Sequence, residues 1–331
     1  MHNVIGHDWA VQWLRQTLVS NQVRHAYCIL GPANVGKMTL ALGFARALLC
    51  TADDPLARPC EACAACRKTA GGFHPDLRLI APAAEASVLS VELIRDSVVR
   101  EAALSPLAGQ RKVFIIENMH LATPAAANAL LKTLEEPPAT VVIILLTERR
   151  EALLPTILSR CQVISLRPLA HEQIEQDLRA RFDLAPAQAS LFARLSSGRL
   201  GYARQLAIDR TAWEQRGQQL DDLAGLLTAS RVERLAYAAN LAAHADQVDA
   251  VLRTWQSWWR DVWLCQHGAD AQVINVDRIA LLAEQARRVP LAQTRACLQR
   301  VVSTAQLLEG NVNVRLALDV LLLRLPRFST H

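Results

Sequence analysis

The sequence contains no run of 18 uncharged apolar residues; its longest apolar blocks are short, such as Val141–Leu146. A membrane-spanning helix is therefore not expected. Met1-His2-Asn3-Val4 leads into neither a basic segment nor an apolar one, so no secretory signal is read. Low-complexity stretches are missing, and 13 Gly and 14 Pro in 331 residues are too few for a linker-dominated chain. Basic runs are also missing. The 36 Lys and Arg against 31 Asp and Glu give a net charge of +5, but they are scattered. Such a balance allows contact with nucleic acid without requiring it. These absences point to the cytoplasm, where thiols are reduced or bound to metal rather than paired as disulfides.

What is present is apolar in half of its residues, enough to bury a core for two or three domains. Up to about residue 167, helical and strand-like segments alternate. Ala26–Leu30, Leu77–Ile80, Val113–Ile116 and Val141–Leu146 are short runs rich in Val, Ile and Leu, as buried parallel strands require. Helical spacing fills Trp9–Val19, Thr39–Leu49, Ser90–Glu101 and Ala125–Leu134. This βα alternation predicts an α/β domain built on a doubly wound parallel sheet. Three short helices follow, over Glu172–Phe182, Pro186–Leu195 and Gly201–Ile208, and then long helices only. The expected divisions are 1–167, 168–208 and 209–331.

Gly31-Pro32-Ala33-Asn34-Val35-Gly36-Lys37-Met38 follows the first strand and opens a helix. Spacing and context match a phosphate-binding loop, whose N–H groups and lysine hold phosphate oxygens. Its last position departs from that pattern. A Ser or Thr hydroxyl there would bind the nucleotide's magnesium, and Met38 has no oxygen. Thr39 stands one residue later, about 100° further round the helix. A second departure follows the strand at 113–116. Glu117 could serve near a metal, but Asn118 is a neutral amide and is no general base. The carboxylates of Glu135-Glu136 stand at a helix end before Pro137-Pro138, the wrong context for that acidic motif. Gly31, Gly36 and Lys37 could still hold phosphate without magnesium, so ATP or ADP binding stays open.

Cys50, Cys60, Cys63 and Cys66 lie within 17 residues at spacings C-x9-C-x2-C-x2-C. Clustered thiols in a cytosolic chain suggest a structural Zn²⁺ held by four sulfurs. An iron–sulfur cluster is the alternative. Cys28, Cys161, Cys265 and Cys297 sit in apolar settings and are read as core.

Arg24-His25-Ala26-Tyr27, the segment from Asn128 to Pro138 (NALLKTLEEPP), and Ser159-Arg160-Cys161 occur in order along the chain. Together with the cysteine module and the helical tail, they resemble the subunits of the bacterial clamp loader. These are AAA+ proteins that serve DNA polymerase III. The resemblance covers essentially the whole chain and implies a P-loop domain with a zinc module at about 50–66, a small helical lid and an all-helical collar that oligomerises. Two kinds of subunit share the pattern, and Met38 and Asn118 place this chain with the non-motor kind. The resemblance makes Arg160 an arginine finger acting in trans on a neighbour's ATP. It puts Arg204 at the second sensor position of the lid, and His74-Pro75-Asp76 at a family signature. It implies a hetero-pentamer with motor subunits and a delta-like subunit, acting on a sliding clamp and on primer-template DNA. No catalysis is expected of the isolated chain, although the complex serves a nucleotidyltransferase. An active motor subunit, or an unrelated zinc-containing DNA-binding protein, is the competing reading. Trp255, Trp258, Trp259 and Trp263 fit the core-facing stripe of a helix better than a base-stacking surface.

Overall fold

A computed structural model describes residues 4–82, 88–308, 310 and 312–328. The chain forms two compact units. One is Met1–Ile174 with Gly198–Tyr202, and the other is Glu175–Ser197 with Ala203–His331. The segment 168–208, expected as a lid, is thus shared between them.

The N-terminal unit is built on five parallel strands: β1 (Ala26–Leu30), β2 (Leu77–Ile80), β3 (Lys112–Ile116), β4 (Val141–Thr147) and β5 (Gln162–Ser165), in the order β2-β3-β4-β1-β5. Four of these strands coincide with the apolar runs. β5 has no such run, because Gln162 and Ser165 flank its two apolar residues and Ile164 alone is fully buried. Alternating side chains divide the core between the two faces of the sheet. On one face Tyr27, Ile29, Val113, Ile115, Val142 and Ile144 pack with residues of the helices Asp8–Val19 and Lys37–Leu49. On the other, Cys28, Phe114, Ile116, Ile143 and Leu145 pack with the helix Pro124–Glu135. That last helix starts where its sequence directs. The Thr123 hydroxyl accepts the Ala126 N–H at 3.2 Å, and Pro124 takes the first helical position. The helix expected over Ser90–Glu101 is one α-turn, Val91–Ile94, followed by π-helical Arg95–Arg100.

Strand order decides where chemistry can occur. β1 lies between β4 and β5, so the loop leaving β1 adjoins the residues leaving β4. In open parallel sheets, ligands bind beyond the carboxyl ends of the strands at such a junction.

The C-terminal unit is helical among its described residues. Arg210–Leu226, Arg231–Ala243, Ala245–Gln266, Ile279–Arg288, Leu291–Leu308 and Val314–Leu323 surround one apolar core. Trp255, Trp258 and Trp259 are buried in it, so they are not a base-stacking surface; Trp263 is 37% exposed. Two of the buried indoles are also anchored: Trp255 Nε1 donates to Gln219 O at 2.9 Å and Trp258 Nε1 to Gln285 Oε1 at 2.8 Å.

Candidate functional site

The loop after β1 needs its glycines for different reasons. A Cβ on Gly31 would lie 2.8 Å from Leu166 O and 3.0 Å from Val35 Cγ1, closer than packing permits. Gly36 has room, but its φ of +113° is one that L side chains rarely adopt, and it caps the helix Lys37–Leu49. Lys37 then turns back into the loop. Its Nζ donates to Gly31 O and Pro32 O, both at 2.8 Å, and lies 3.7 Å from Glu148 Oε1. Burial pushes the Lys37 pKa down, while Glu148 opposes the shift. Beneath the loop, His7 Nε2 lies 3.1 Å from Val35 O, and burial lowers its pKa too. The neutral ring carrying its proton on Nε2 is the tautomer that this contact requires. The Gly201 N–H donates to Asn34 O at 2.9 Å, closing the loop from the other side.

Met38 and Thr39 sit as the helix period dictates. The Met38 side chain packs against the apolar cluster under the sheet, and Thr39 is exposed. Beyond β3, Glu117 is half-buried and its N–H donates to Ile80 O at 2.8 Å. Asn118 adopts φ 50° and ψ 44°, a left-handed conformation that Asn tolerates, and starts the turn Met119–Leu121. At the end of β4, Thr147 Oγ1 donates to Arg149 O at 3.1 Å and lies 3.4 Å from His120 Nδ1. An anion at this site would meet the helix N-terminus and the Lys37 ammonium, which Gly31 O, Pro32 O and Glu148 already hold. The side chain in the hydroxyl position is a thioether packed against the core.

Arg160 follows the one-turn helix Pro155–Leu158. Its Nη1 donates to Thr156 O at 2.8 Å, and its Nη2 lies 2.7 Å from Glu135 Oε1. Within the chain it is thus a locally paired, half-buried arginine. In the C-terminal unit, Arg204 grips the buried Asp177 as a fork, Nε to Oδ2 at 2.7 Å and Nη2 to Oδ1 at 2.8 Å. Arg181 Nε shares that carboxylate at 3.0 Å.

The four cysteines converge. Their sulfurs all lie within 4.8 Å of one another, with Cys50 and Cys63 at 3.9 Å. Tetrahedral zinc, with Zn–S near 2.3 Å, needs sulfurs roughly 3.8 Å apart, so the donor set fits the ion in number, type and spacing. The helix Lys37–Leu49 ends at Cys50, which carries the first ligand to the module. Backbone N–H groups already point at the sulfurs. Cys60 N lies 3.5 Å from Cys50 Sγ, Cys63 N 3.4 Å from Cys60 Sγ and Cys66 N 3.3 Å from Cys63 Sγ. Burial opposes ionisation of Cys63, yet hydrogen bonds from Thr51 and Cys66 bring its pKa down to about 5. Burial dominates at Cys66 and pushes its thiol up to about 12. His74 is outside this group. Its Nδ1 accepts the Asp76 N–H at 3.1 Å. The Asp76 carboxylate, fully buried, accepts N–H groups from Leu107, Ala108 and Gly109 at 2.6, 2.8 and 3.0 Å. The signature His74-Pro75-Asp76 thus ties the loop before β3 to the start of β2.

Comparison with known proteins agrees along the chain. A family model described as DNA polymerase III, delta subunit, matches residues 6–170. One described as DNA polymerase III, delta subunit, C terminal, matches residues 210–327. DNA polymerase III subunit delta' of Escherichia coli K12 is 32% identical over 308 residues, covering 92% of this chain and 89% of that protein. The chain belongs to the DNA polymerase III delta-prime family. The Pseudomonas aeruginosa delta' subunit is 37% identical over 207 residues, 62% of each chain. The chain spans about half the length of the Bacillus subtilis delta' subunit, 54%, at 34% identity. It also resembles the Bacillus subtilis tau subunit at 35% identity, but over only 52% of this chain and 30% of that protein.

Several pairings in this delta-prime family member are not given by any spacing in the sequence. Glu148 reaches Lys37 only because β4 lies beside β1. Asp177 reads as an ordinary helical acid, yet Arg204 and Arg181 share it. Glu135, misplaced for the acidic motif, is the partner of Arg160.

Proposed function

We propose that this chain is a non-motor subunit of the DNA polymerase III clamp loader, helping to place the sliding clamp on primed DNA without hydrolysing ATP itself. It works in the cytoplasm within a hetero-pentamer of motor and delta-like subunits. The P-loop domain, the lid at 168–208 and the collar from 209 form an AAA+ chain. Arg160 supplies a guanidinium to the ATP site of a neighbouring motor subunit, where it offsets charge developing on the γ-phosphate. The observation that carries this reading is Met38: its side chain occupies the metal-ligating position and packs against the core. Asn118 removes the general base as well. Any nucleotide held here rests on Gly31, Gly36 and Lys37. Zn²⁺ bound by Cys50, Cys60, Cys63 and Cys66 would stiffen the module without catalysing, since four protein ligands leave no open position.

The test is Arg160→Ala in a loader reconstituted from all its subunits. Assembly should persist, while DNA-stimulated ATP hydrolysis and clamp loading fall at least tenfold, about 1.4 kcal/mol of transition-state stabilisation. Unchanged hydrolysis would remove the finger. Robust ATP turnover by the isolated chain, abolished by Lys37→Ala, would make it a motor instead.

A further inference from the structure

The Arg160 guanidinium is held from two sides. Glu135 Oε1 lies 2.7 Å from Nη2, and Thr156 O accepts from Nη1 at 2.8 Å. Ser159 Oγ lies 3.4 Å from the same Nη1. Arginine carries five N–H donors, so donors remain for a further partner after these contacts are made.

Glu135 is in an unfavourable place for a carboxylate. It is the last residue of the helix Pro124–Glu135, where the backbone dipole already puts partial negative charge, and Glu136 adds a second carboxylate. The guanidinium of Arg160 offsets that cost. Both anchors stand on stiff segments. Pro137 and Pro138 fix the chain after Glu135, and Val141 N donates to Pro138 O at 2.9 Å, tying the helix end to β4. Thr156 belongs to a one-turn helix that begins at Pro155. A free arginine side chain gives up much rotamer freedom when it meets a partner, whereas one already held gives up little.

We infer that Glu135 is a positioning residue: its carboxylate holds the Arg160 guanidinium in the orientation from which it reaches the neighbouring subunit's phosphate. This rests on the reading of Arg160 as a finger in trans. Glu135 acts through Arg160 and touches no nucleotide.

The experiment uses the reconstituted loader with Glu135→Ala, Glu135→Gln, Arg160→Ala and the double variant Glu135→Ala/Arg160→Ala. Size-exclusion chromatography checks assembly, and Glu135→Gln, which keeps the side-chain shape, carries the comparison if Glu135→Ala does not assemble. A partly exposed ion pair supports a loss of about three- to fivefold in kcat for DNA-stimulated ATP hydrolysis, with KM for ATP unchanged. Glu135→Gln should recover part of that loss. The double variant should be no slower than Arg160→Ala alone. If Arg160→Ala leaves turnover unchanged, the finger itself is wrong. If Arg160→Ala slows turnover but Glu135→Ala leaves it unchanged, speeds it, or slows the double variant further, the finger stands and the positioning role is overturned.

Discussion

Arg234 gives the sharpest test of how the C-terminal unit is held together. It lies on the helix Arg231–Ala243 and is 3% exposed. Its guanidinium meets four carbonyls: Leu226 O at 2.9 Å, Leu322 O at 3.1 Å, Leu325 O at 2.8 Å and Pro326 O at 2.8 Å. These belong to the ends of the helices Arg210–Leu226 and Val314–Leu323 and to the chain just beyond. Carbonyls there have no partner within their own helix. Arg234→Met keeps the apolar stem and removes every donor. An unpaired buried acceptor costs about 1–3 kcal/mol; Leu322 O keeps the Leu325 N–H at 3.3 Å, so the other three give an upper range of about 3–9 kcal/mol. Two effects reduce it. Burial already disfavours the charged guanidinium, as its lowered pKa shows, and water can reach some of the freed carbonyls. A net loss of about 3–5 kcal/mol is expected, comparable to breaking a buried ion pair. That is a large share of the roughly 5–15 kcal/mol that holds a domain folded. Urea unfolding followed by tryptophan fluorescence is the assay, because five of the seven tryptophans, Trp213, Trp255, Trp258, Trp259 and Trp263, lie in this unit. A midpoint shift worth less than about 1 kcal/mol, with unchanged slope, would refute the assignment of Arg234 as the common clasp. Arg234→Lys should recover little, since a single ammonium cannot span four acceptors.

Three further outcomes are expected. Elemental analysis should find one zinc per chain, and Cys63→Ser or a strong chelator should release it and raise amide exchange over residues 50–66; full protection without metal would show that the module folds on its own hydrogen bonds. ATP binding to the isolated chain should change by less than about twofold when magnesium is added, because Met38 puts no oxygen at the position of the ion's hydroxyl ligand; a tenfold gain, about 1.4 kcal/mol, would contradict this. Burial lowers the folded pKa of His7 below its ordinary value of 6.5, so the unfolded chain binds more protons in that window. Stability should therefore fall as pH drops from 6.5 towards the folded pKa, and His7→Gln, which can still donate to Val35 O, should flatten that slope in thermal melts. An unaltered slope would place the titration elsewhere.

Much of the site is legible in the sequence because its chemistry is local. Gly31 and Gly36 are forced by the backbone of one short loop. The sulfurs of Cys60, Cys63 and Cys66 are gathered by one knuckle and the turn that follows it. The three central strands β3, β4 and β1 announce themselves through apolar runs that only a doubly covered sheet can bury, and the edge strand β2 through Leu77, Leu79 and Ile80. β5 does not, because Gln162 and Ser165 leave only Val163 and Ile164 to mark the strand. The partners of the charged residues are hidden for a different reason. Lys37 meets Glu148, and Arg160 meets Glu135, across 111 and 25 residues of sequence respectively. No period or spacing encodes such a meeting; strand order and helix ends do. Glu135-Glu136-Pro137-Pro138 does carry a clue. Two carboxylates at the C-terminal end of a helix oppose its dipole, so the sequence alone calls for a nearby cation on physical grounds. The identity of that cation then follows from the packing of the helix Pro155–Leu158 against the helix Pro124–Glu135. An unfavourable charge at a helix end is thus a request for a partner, and here the partner is the arginine on which the proposed function depends.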